Sequence, residues 1–196
     1  MTVPPPPRLL PISDLNQLPV EAFVEALRPL FEAAGPLGAR LAALRPFASY
    51  TDLLDRAEAL VGQLSPDEQV VVVNAHPRIG ESASAVRETS ALSYREQGYD
   101  AEAGMAPEEL ARVDAELARL NAAYEQKFGF RFLVFVNGRP KAEILDVLRQ
   151  RIELPREREL QTALHDMLAI ARDRFRVVRI QESGARRGFD LLAPDS

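Results

Sequence analysis

Three groups of residues in this chain carry the side chains needed for acid–base chemistry on an anionic ligand. The first is His76, which follows a run of valines and directly precedes Pro77. The second is the polar segment Ser93-Tyr94-Arg95-Glu96-Gln97, and the third is Arg174. A histidine paired with a carboxylate can act as a general acid or base. An arginine adds a planar set of donors for an anionic or carbonyl-rich ligand.

Each group also has a purely structural interpretation. Because proline disfavours helical backbone at the residue before it, His76 is predicted to lie where a buried helix ends, and it could simply pack there. The segment Ser93 to Gln97 could be the solvated start of a helix. Arg174 continues the apolar stripe of the last helix, so it either extends to solvent or reaches a buried anion. That stripe consists of Leu160, Ala163, Met167 and Ile170, whereas His165 faces away from it and is predicted to be exposed.

Composition argues against several other kinds of site. The 196 residues are 46% hydrophobic, which is enough for one compact domain with a sizeable core. The chain has no cysteine and only two histidines, so thiolate chemistry is excluded and no metal site is predicted. The net charge of −5 gives no reason to expect nucleic acid as a partner. Without a signal peptide or a membrane-spanning run, the sequence predicts a cytoplasmic protein that does not enter a membrane.

Helical periodicity dominates the chain and predicts an all-α fold. Pro29 lies late in the first long helix and should kink or end it. The tetravaline run suggests a strand by itself, but Ser65-Pro66-Asp67-Glu68 is a helix start with a capping box, which favours a buried helix. Phe128 to Val136 could be a strand or a buried helix. The predicted helices cover 20–31, 37–44, 51–62, a segment from 66 to shortly before Pro77, a segment beginning at 108, 140–152 and 156–176.

The motifs, taken in order, resemble the OHCU decarboxylase family. Enzymes of this family act on 2-oxo-4-hydroxy-4-carboxy-5-ureidoimidazoline, the last intermediate between urate and allantoin. The resemblance covers roughly residues 13–178, with 1–12 as a proline-rich lead-in and 179–196 as a tail. The motifs are His76-Pro77, Ser93-x-x-Glu96-Gln97, Asn121-x-x-Tyr124-x-x-Lys127-Phe128-Gly129-Phe130-x-Phe132, Ala142-Glu143-Ile144-Leu145, Arg151 and Ile170-Ala171-x-x-Arg174.

The resemblance implies a single compact multi-helix domain and a cofactor-independent carboxy-lyase that produces (S)-allantoin. His76 would be the catalytic proton donor, and Glu96 would support both His76 and the substrate. Arg174 would bind the polar edge of this small molecule, and relatives of this type often form homodimers. Further contacts would come from Pro77, from Ser93, Tyr94, Arg95 and Gln97, and from an apolar wall made of Phe132, Leu133, Val134, Phe135 and Val136. The alternative is a non-catalytic all-α module that binds a purine-derived ligand or a protein.

Three segments depart from the commoner pattern of the family. Arg78-Ile79-Gly80-Glu81 stands where Asp-Leu-Ala-Gly is more usual, and no role beyond shaping the loop is predicted for it. Gly98 to Gly104 is longer than the usual connection. Arg131 replaces the proline that is often found between the two phenylalanines.

Overall fold

The computed structural model describes residues 9–32, 35–80 and 106–190. Within these ranges all regular secondary structure is helical, which confirms the predicted all-α fold. In chain order the helices are α1 (Ile12–Gln17), α2 (Val20–Ala26), α3 (Arg28–Phe31), α4 (Gly35–Ala43), α5 (Tyr50–Val61), α6 (Pro66–Asn74), α7 (Pro107–Phe128), α8 (Lys141–Arg151) and α9 (Arg156–Asp190).

Helix α6 begins where its capping signal predicts. The Ser65 side chain accepts a hydrogen bond from the backbone N–H of Glu68, and the Glu68 carboxylate accepts one from the backbone N–H of Ser65. Both contacts satisfy N–H groups that have no partner inside the helix. The valine run is therefore helical, with Val72 and Val73 buried. The helix ends at Asn74, just before the histidine that precedes proline.

Helix α9 is the element against which much of the core is assembled. It packs against α3, α5 and α6. The predicted stripe on this helix is buried throughout, from Leu160 to Ile170. The stripe ends on Arg174, so the same face that forms the core also carries a cation into the interior.

The aromatic run after α7 is neither of the two alternatives that its pattern allowed. Gly129 ends α7 in the left-handed conformation, with φ of 78°, which glycine adopts without a steric penalty. Residues 131–136 then form neither a helix nor a paired strand in the described chain. A turn at Asn137-Gly138 leads into α8. Apolar density predicted burial correctly here, but it does not encode whether a strand partner exists.

Two of the predicted helices differ from the observed ones by more than two residues, and α1 was not predicted. The helix predicted over 20–31 is divided at Leu27, and Pro29 lies in the first turn of α3, where its missing N–H costs nothing. The last helix continues past 176 to Asp190, since no proline occurs between Pro155 and Pro194. No helix in the described ranges combines the length and apolarity that crossing a membrane requires.

A buried polar network joins α7, α8 and α9. The Tyr124 hydroxyl donates to Glu159 Oε1 at 2.5 Å, and Arg151 Nε donates to the same oxygen at 2.8 Å. Arg151 Nη1 also donates to Asp166 Oδ2 at 2.7 Å. Glu159 is completely buried, and burial together with this carboxylate raises the pKa of Tyr124. The three helices are therefore fixed to one another by a charged cluster.

Candidate active site

One cavity brings together most of the residues that were predicted to contact a ligand. Ile79 and Ile170 were not predicted, although Ile170 lies one turn before Arg174 on the same stripe. The predicted segment Ser93 to Gln97 and the longer connection Gly98 to Gly104 lie outside the described residues. The lining residues are His76, Pro77, Ile79, Phe132, Leu133, Val134, Phe135, Val136, Ile170 and Arg174.

The backbone that carries His76 is held by Arg131. Arg131 Nη1 donates to the carbonyl oxygens of Asn74 and His76, both at 2.9 Å. The backbone N–H of Arg131 donates to Asn74 Oδ1 at 2.9 Å. Carbonyls at the C-terminal end of a helix lack partners inside the helix and carry partial negative charge, so a cation there is stabilising. The residue that departs from the family pattern therefore fixes the end of α6 and the position of the imidazole.

Replacing Arg131 with alanine is expected to lower the free energy of unfolding by about 1–3 kcal/mol, because two partly buried backbone carbonyls lose a charged donor. Urea unfolding followed by circular dichroism measures the loss. Arg149→Ala is the control, since Arg149 is half exposed in surface ion pairs and should cost less than about 1 kcal/mol. An equal loss of unfolding free energy in the two variants would contradict the role of Arg131 in holding the end of α6.

The imidazole of His76 is buried and makes no hydrogen bond to the described residues. The residue is 2% exposed, and neither ring nitrogen has a hydrogen-bond partner among the described residues. The backbone of Val72 lies close enough to favour protonation weakly, but without hydrogen-bond geometry. Burial, reinforced by the Arg174 cation and opposed by the Glu32 carboxylate, lowers the pKa of His76 to about 4. The ring is therefore neutral at pH 7 and keeps one N–H.

This lowered pKa has a measurable effect on stability. Between about pH 4 and 6.5 the unfolded chain binds a proton at His76 that the folded chain excludes, so the free energy of unfolding should fall as the pH drops through this window. The shift corresponds to roughly 3 kcal/mol. His76→Asn should remove this part of the slope when unfolding is measured from pH 4 to 7. A slope retained in His76→Asn would contradict the assignment.

Arg174 reaches a buried anion and does not extend to solvent. It is 2% exposed, and its Nη2 lies 2.8 Å from Oε1 of Glu32. A second donor, Nη1, lies 3.5 Å from the carbonyl oxygen of Leu30. Of the two interpretations that the stripe allowed, the buried ion pair is correct. The guanidinium is thereby held against the cavity that His76 also lines.

Glu32 was not identified from the sequence. It follows the buried pair Leu30-Phe31 at the end of α3, with φ of 57° and ψ of −114°. Residues other than glycine rarely adopt this conformation, which costs on the order of 1–3 kcal/mol unless the surroundings impose it. The only local signal is a charged residue directly after an apolar pair, and nothing in that signal points to Arg174.

The loop after Pro77 is attached to α7. Arg78 forms a two-point ion pair with Glu125, at 2.5 and 2.8 Å. Asn121 Nδ2 donates to the carbonyl oxygen of Ile79 at 2.9 Å. Gly80 has φ of 79°, and a Cβ there would lie 3.4 Å from Leu117, so the loop passes close to the helix. The residues Arg78 to Gly80 had no predicted role beyond shaping the loop. Their contacts fix the loop after Pro77 against α7.

The wall segment, Phe132 to Val136, is supported from behind by the buried polar network. The Phe132 ring lies edge-on to Tyr124, with 5.3 Å between ring centroids, and the Arg151 guanidinium lies 4.9 Å from the Phe132 centroid. Arg139 donates to the carbonyls of Phe135 and Val136. The backbone N–H groups of the wall segment have no hydrogen-bond partner among the described residues. Buried backbone donors are usually paired, so these groups are suited to a polar ligand.

The described residues do not assemble a metal site. No group of three or more histidine, aspartate or glutamate side chains converges among them. The side chains with charge or acid–base capacity that line the cavity are one imidazole and one guanidinium, set in an apolar wall. This combination suits a small organic anion with several carbonyl or amide groups.

Comparisons with known proteins agree with this arrangement. The model of the OHCU decarboxylase family matches residues 16–176. The uric acid degradation bifunctional protein PucL of Bacillus subtilis is 34% identical over 164 residues, which are 84% of this chain and 32% of that protein. The chain thus spans about a third of that relative. The 2-oxo-4-hydroxy-4-carboxy-5-ureidoimidazoline decarboxylase of Halalkalicoccus jeotgali is 30% identical over 177 residues, which are 90% of this chain and 96% of that protein.

A solved structure shares the fold. The crystal structure of an OHCU decarboxylase in the presence of (S)-allantoin matches with a TM-score of 0.57 at 24% identity, covering 75% of this chain and 91% of that one. The family model and the relative from Halalkalicoccus jeotgali each cover most of the chain. The resemblance drawn from the motifs is therefore confirmed, and the chain belongs to the OHCU decarboxylase family.

Proposed function

We propose that this protein decarboxylates 2-oxo-4-hydroxy-4-carboxy-5-ureidoimidazoline to (S)-allantoin in the breakdown of urate, with His76 as the proton donor. The observation that carries the proposal is the placement of a buried imidazole and a buried guanidinium in one apolar cavity. The family to which the chain belongs supplies the substrate class.

The reaction does not require the protein to supply an electron-accepting group. The bond between the ring carbon and the carboxylate breaks, CO₂ leaves, and the electron pair of that bond moves into the adjacent C=N of the substrate ring. One proton is then added to the ring carbon that bears the ureido group, while the hydroxyl on the neighbouring carbon becomes the carbonyl of allantoin and its proton passes to the ring nitrogen that accepted the electron pair. Because the substrate accepts its own electron pair, we infer that the protein acts without a cofactor. Its contribution is to bind, to exclude water and to place a proton.

His76 must gain its proton together with the substrate. With a pKa of about 4 in the free protein the imidazole is neutral at pH 7. The substrate carries a carboxylate, and a negative charge placed beside the ring raises the pKa of an imidazole. The carboxylate of Glu96, in the motif Ser93-x-x-Glu96-Gln97, would act in the same direction. Substrate binding therefore favours the protonated form of His76 before the proton is transferred.

The remaining residues hold the ring in place. Pro77 and the wall segment would enclose its faces, and the backbone N–H groups of that segment would donate to its carbonyl oxygens. Arg174 would donate to its polar edge. Ser93, Tyr94, Arg95 and Gln97 are included in the proposal because their motif resembles that of the family. Delivery of the proton from the one side occupied by His76 would give a single enantiomer of allantoin.

The test generates the substrate from urate with urate oxidase and hydroxyisourate hydrolase, then follows circular dichroism for optically active allantoin. The protein should accelerate this signal well beyond spontaneous decay and give the (S) form. A rate equal to that of the uncatalysed reaction would overturn the proposed function, and a thermal shift with allantoin but no turnover would favour a binding module. A cytoplasmic location and assembly as a homodimer remain predictions from the sequence and the resemblance.

A further inference from the structure

The ion pair between Glu32 and Arg174 lies at the cavity and not only in the core. Arg174 lines the cavity together with His76, and its guanidinium is 2.8 Å from the Glu32 carboxylate. Glu32 itself is 7% exposed, and its unusual backbone angles place this carboxylate at the end of α3, which packs against α9. The two charges have opposite effects on the pKa of His76: Arg174 lowers it and Glu32 raises it. A pair placed in this way can influence a bound ligand as well as the fold.

We propose that Glu32 is a positioning residue for decarboxylation: its carboxylate holds the Arg174 guanidinium at the cavity wall and offsets the positive charge of that guanidinium. This inference rests on the proposed function. Arg174 then donates hydrogen bonds to the substrate without forming a full ion pair with the carboxylate that must leave.

The physical reason lies in where the charge goes during the reaction. The substrate begins with its negative charge concentrated on the carboxylate, and in the transition state this charge spreads into the ring. A strong cation beside the carboxylate would stabilise the substrate more than the transition state, which tightens binding but slows the chemical step. In a cavity with apolar walls the effect is large, since charges there are weakly screened. A guanidinium already paired with a carboxylate avoids this penalty and still offers its N–H groups.

The variant Glu32→Gln separates charge from position. Glutamine keeps the length of the side chain and one oxygen that accepts from Arg174, but it removes one negative charge from the cavity wall. We expect KM for the substrate and kcat both to fall by about tenfold, so that kcat/KM changes little. The dissociation constant of allantoin, which is neutral, should stay the same. A structural role alone would not lower KM.

The matched control is Glu58→Gln. Glu58 also pairs with an arginine of α9, Arg172, at 2.7 Å, but on the surface. This variant should keep both kinetic constants of the unmodified protein. If Glu32→Gln raises KM, or leaves KM and kcat unchanged while the unmodified protein turns over, charge compensation by Glu32 is overturned and the proposed function stands. If the unmodified protein does not decarboxylate, the proposed function itself falls.

A second variant covers the case in which Glu32→Gln does not fold. Glu32→Asp keeps the charge but shortens the side chain by one methylene, so Arg174 is held less well. We expect kcat to remain within about threefold of the unmodified protein while KM rises. A kcat that drops by tenfold or more at unchanged KM would count against the proposal, because charge compensation is retained in this variant.

Discussion

Replacing His76 with asparagine is expected to reduce kcat by about 10²–10⁴-fold, which is the usual contribution of a positioned proton donor. The fold should remain intact. Asparagine remains polar but cannot be protonated or deliver a proton near neutral pH. KM should change little, because the lost interaction is one that acts mainly in the transition state. The initial rate of the circular dichroism signal from allantoin measures kcat. The far-ultraviolet spectrum and the melting temperature of the variant report whether it is folded.

The control for this variant is His165→Asn. His165 is exposed on the opposite side of α9 from Arg174 and should be dispensable. Full activity of His76→Asn would mean that the proton comes from another group, with Glu96 the first candidate. Loss of activity in both variants would indicate damage to α9 or to the fold in general, not loss of a proton donor.

The second large effect is expected at Glu159. Glu159→Gln should lower the free energy of unfolding by about 3–5 kcal/mol, because the charge of Arg151 then loses its completely buried partner. The Tyr124 hydroxyl would also lose the charged acceptor at 2.5 Å. Urea unfolding at pH 7 measures the loss. Asp166 still contacts Arg151 in this variant, which limits the loss.

A double variant separates the net contribution of the Arg151–Glu159 pair to the free energy of unfolding from the penalty of leaving one of its charges without a partner. Arg151→Met combined with Glu159→Leu removes both charges of the pair and leaves Asp166, whose side chain is 20% exposed, without its arginine. The double variant should be less destabilised than Glu159→Gln, because the charge that then lacks a partner lies closer to solvent than Arg151 does. The single variants Arg151→Met and Glu159→Leu complete the comparison. If the double variant loses as much stability as these two losses added together, the residues contribute independently and the pair does not act as a unit.

The sequence predicted the parts of this molecule that depend on local rules. The capping box at Ser65 set the start of α6, and the proline after His76 set its end. Apolar spacing identified the stripe of α9 and marked Arg174 as its exception. These features follow from contacts within a few turns of the chain, so one sequence is enough to read them. The resemblance to the family then implied which of these residues belong to one site and what each of them does.

What the sequence did not predict depends on contacts between distant segments. Nothing in the local sequence distinguishes Glu32, and its partner Arg174 is brought next to it only by the packing of distant segments. Asn121 was identified as part of a motif, but its bond to the carbonyl of Ile79 could not be foreseen. The composition of the aromatic run was compatible with a strand or a buried helix, whereas in the described chain it forms neither. Composition records burial, whereas pairing is decided by the tertiary arrangement.

The contact between Arg131 and Asn74 also carries an evolutionary consequence. A proline at position 131, which the resemblance to the family implies as the more usual residue, has no backbone N–H and no guanidinium, so it can make none of the three hydrogen bonds that join Arg131 to the end of α6. Of the three bonds, only the one from the Arg131 backbone N–H uses the Asn74 side chain, so a proline at 131 leaves that side chain without this donor. Positions 74 and 131 are therefore expected to co-vary, and asparagine at 74 should accompany a residue with a free backbone N–H at 131.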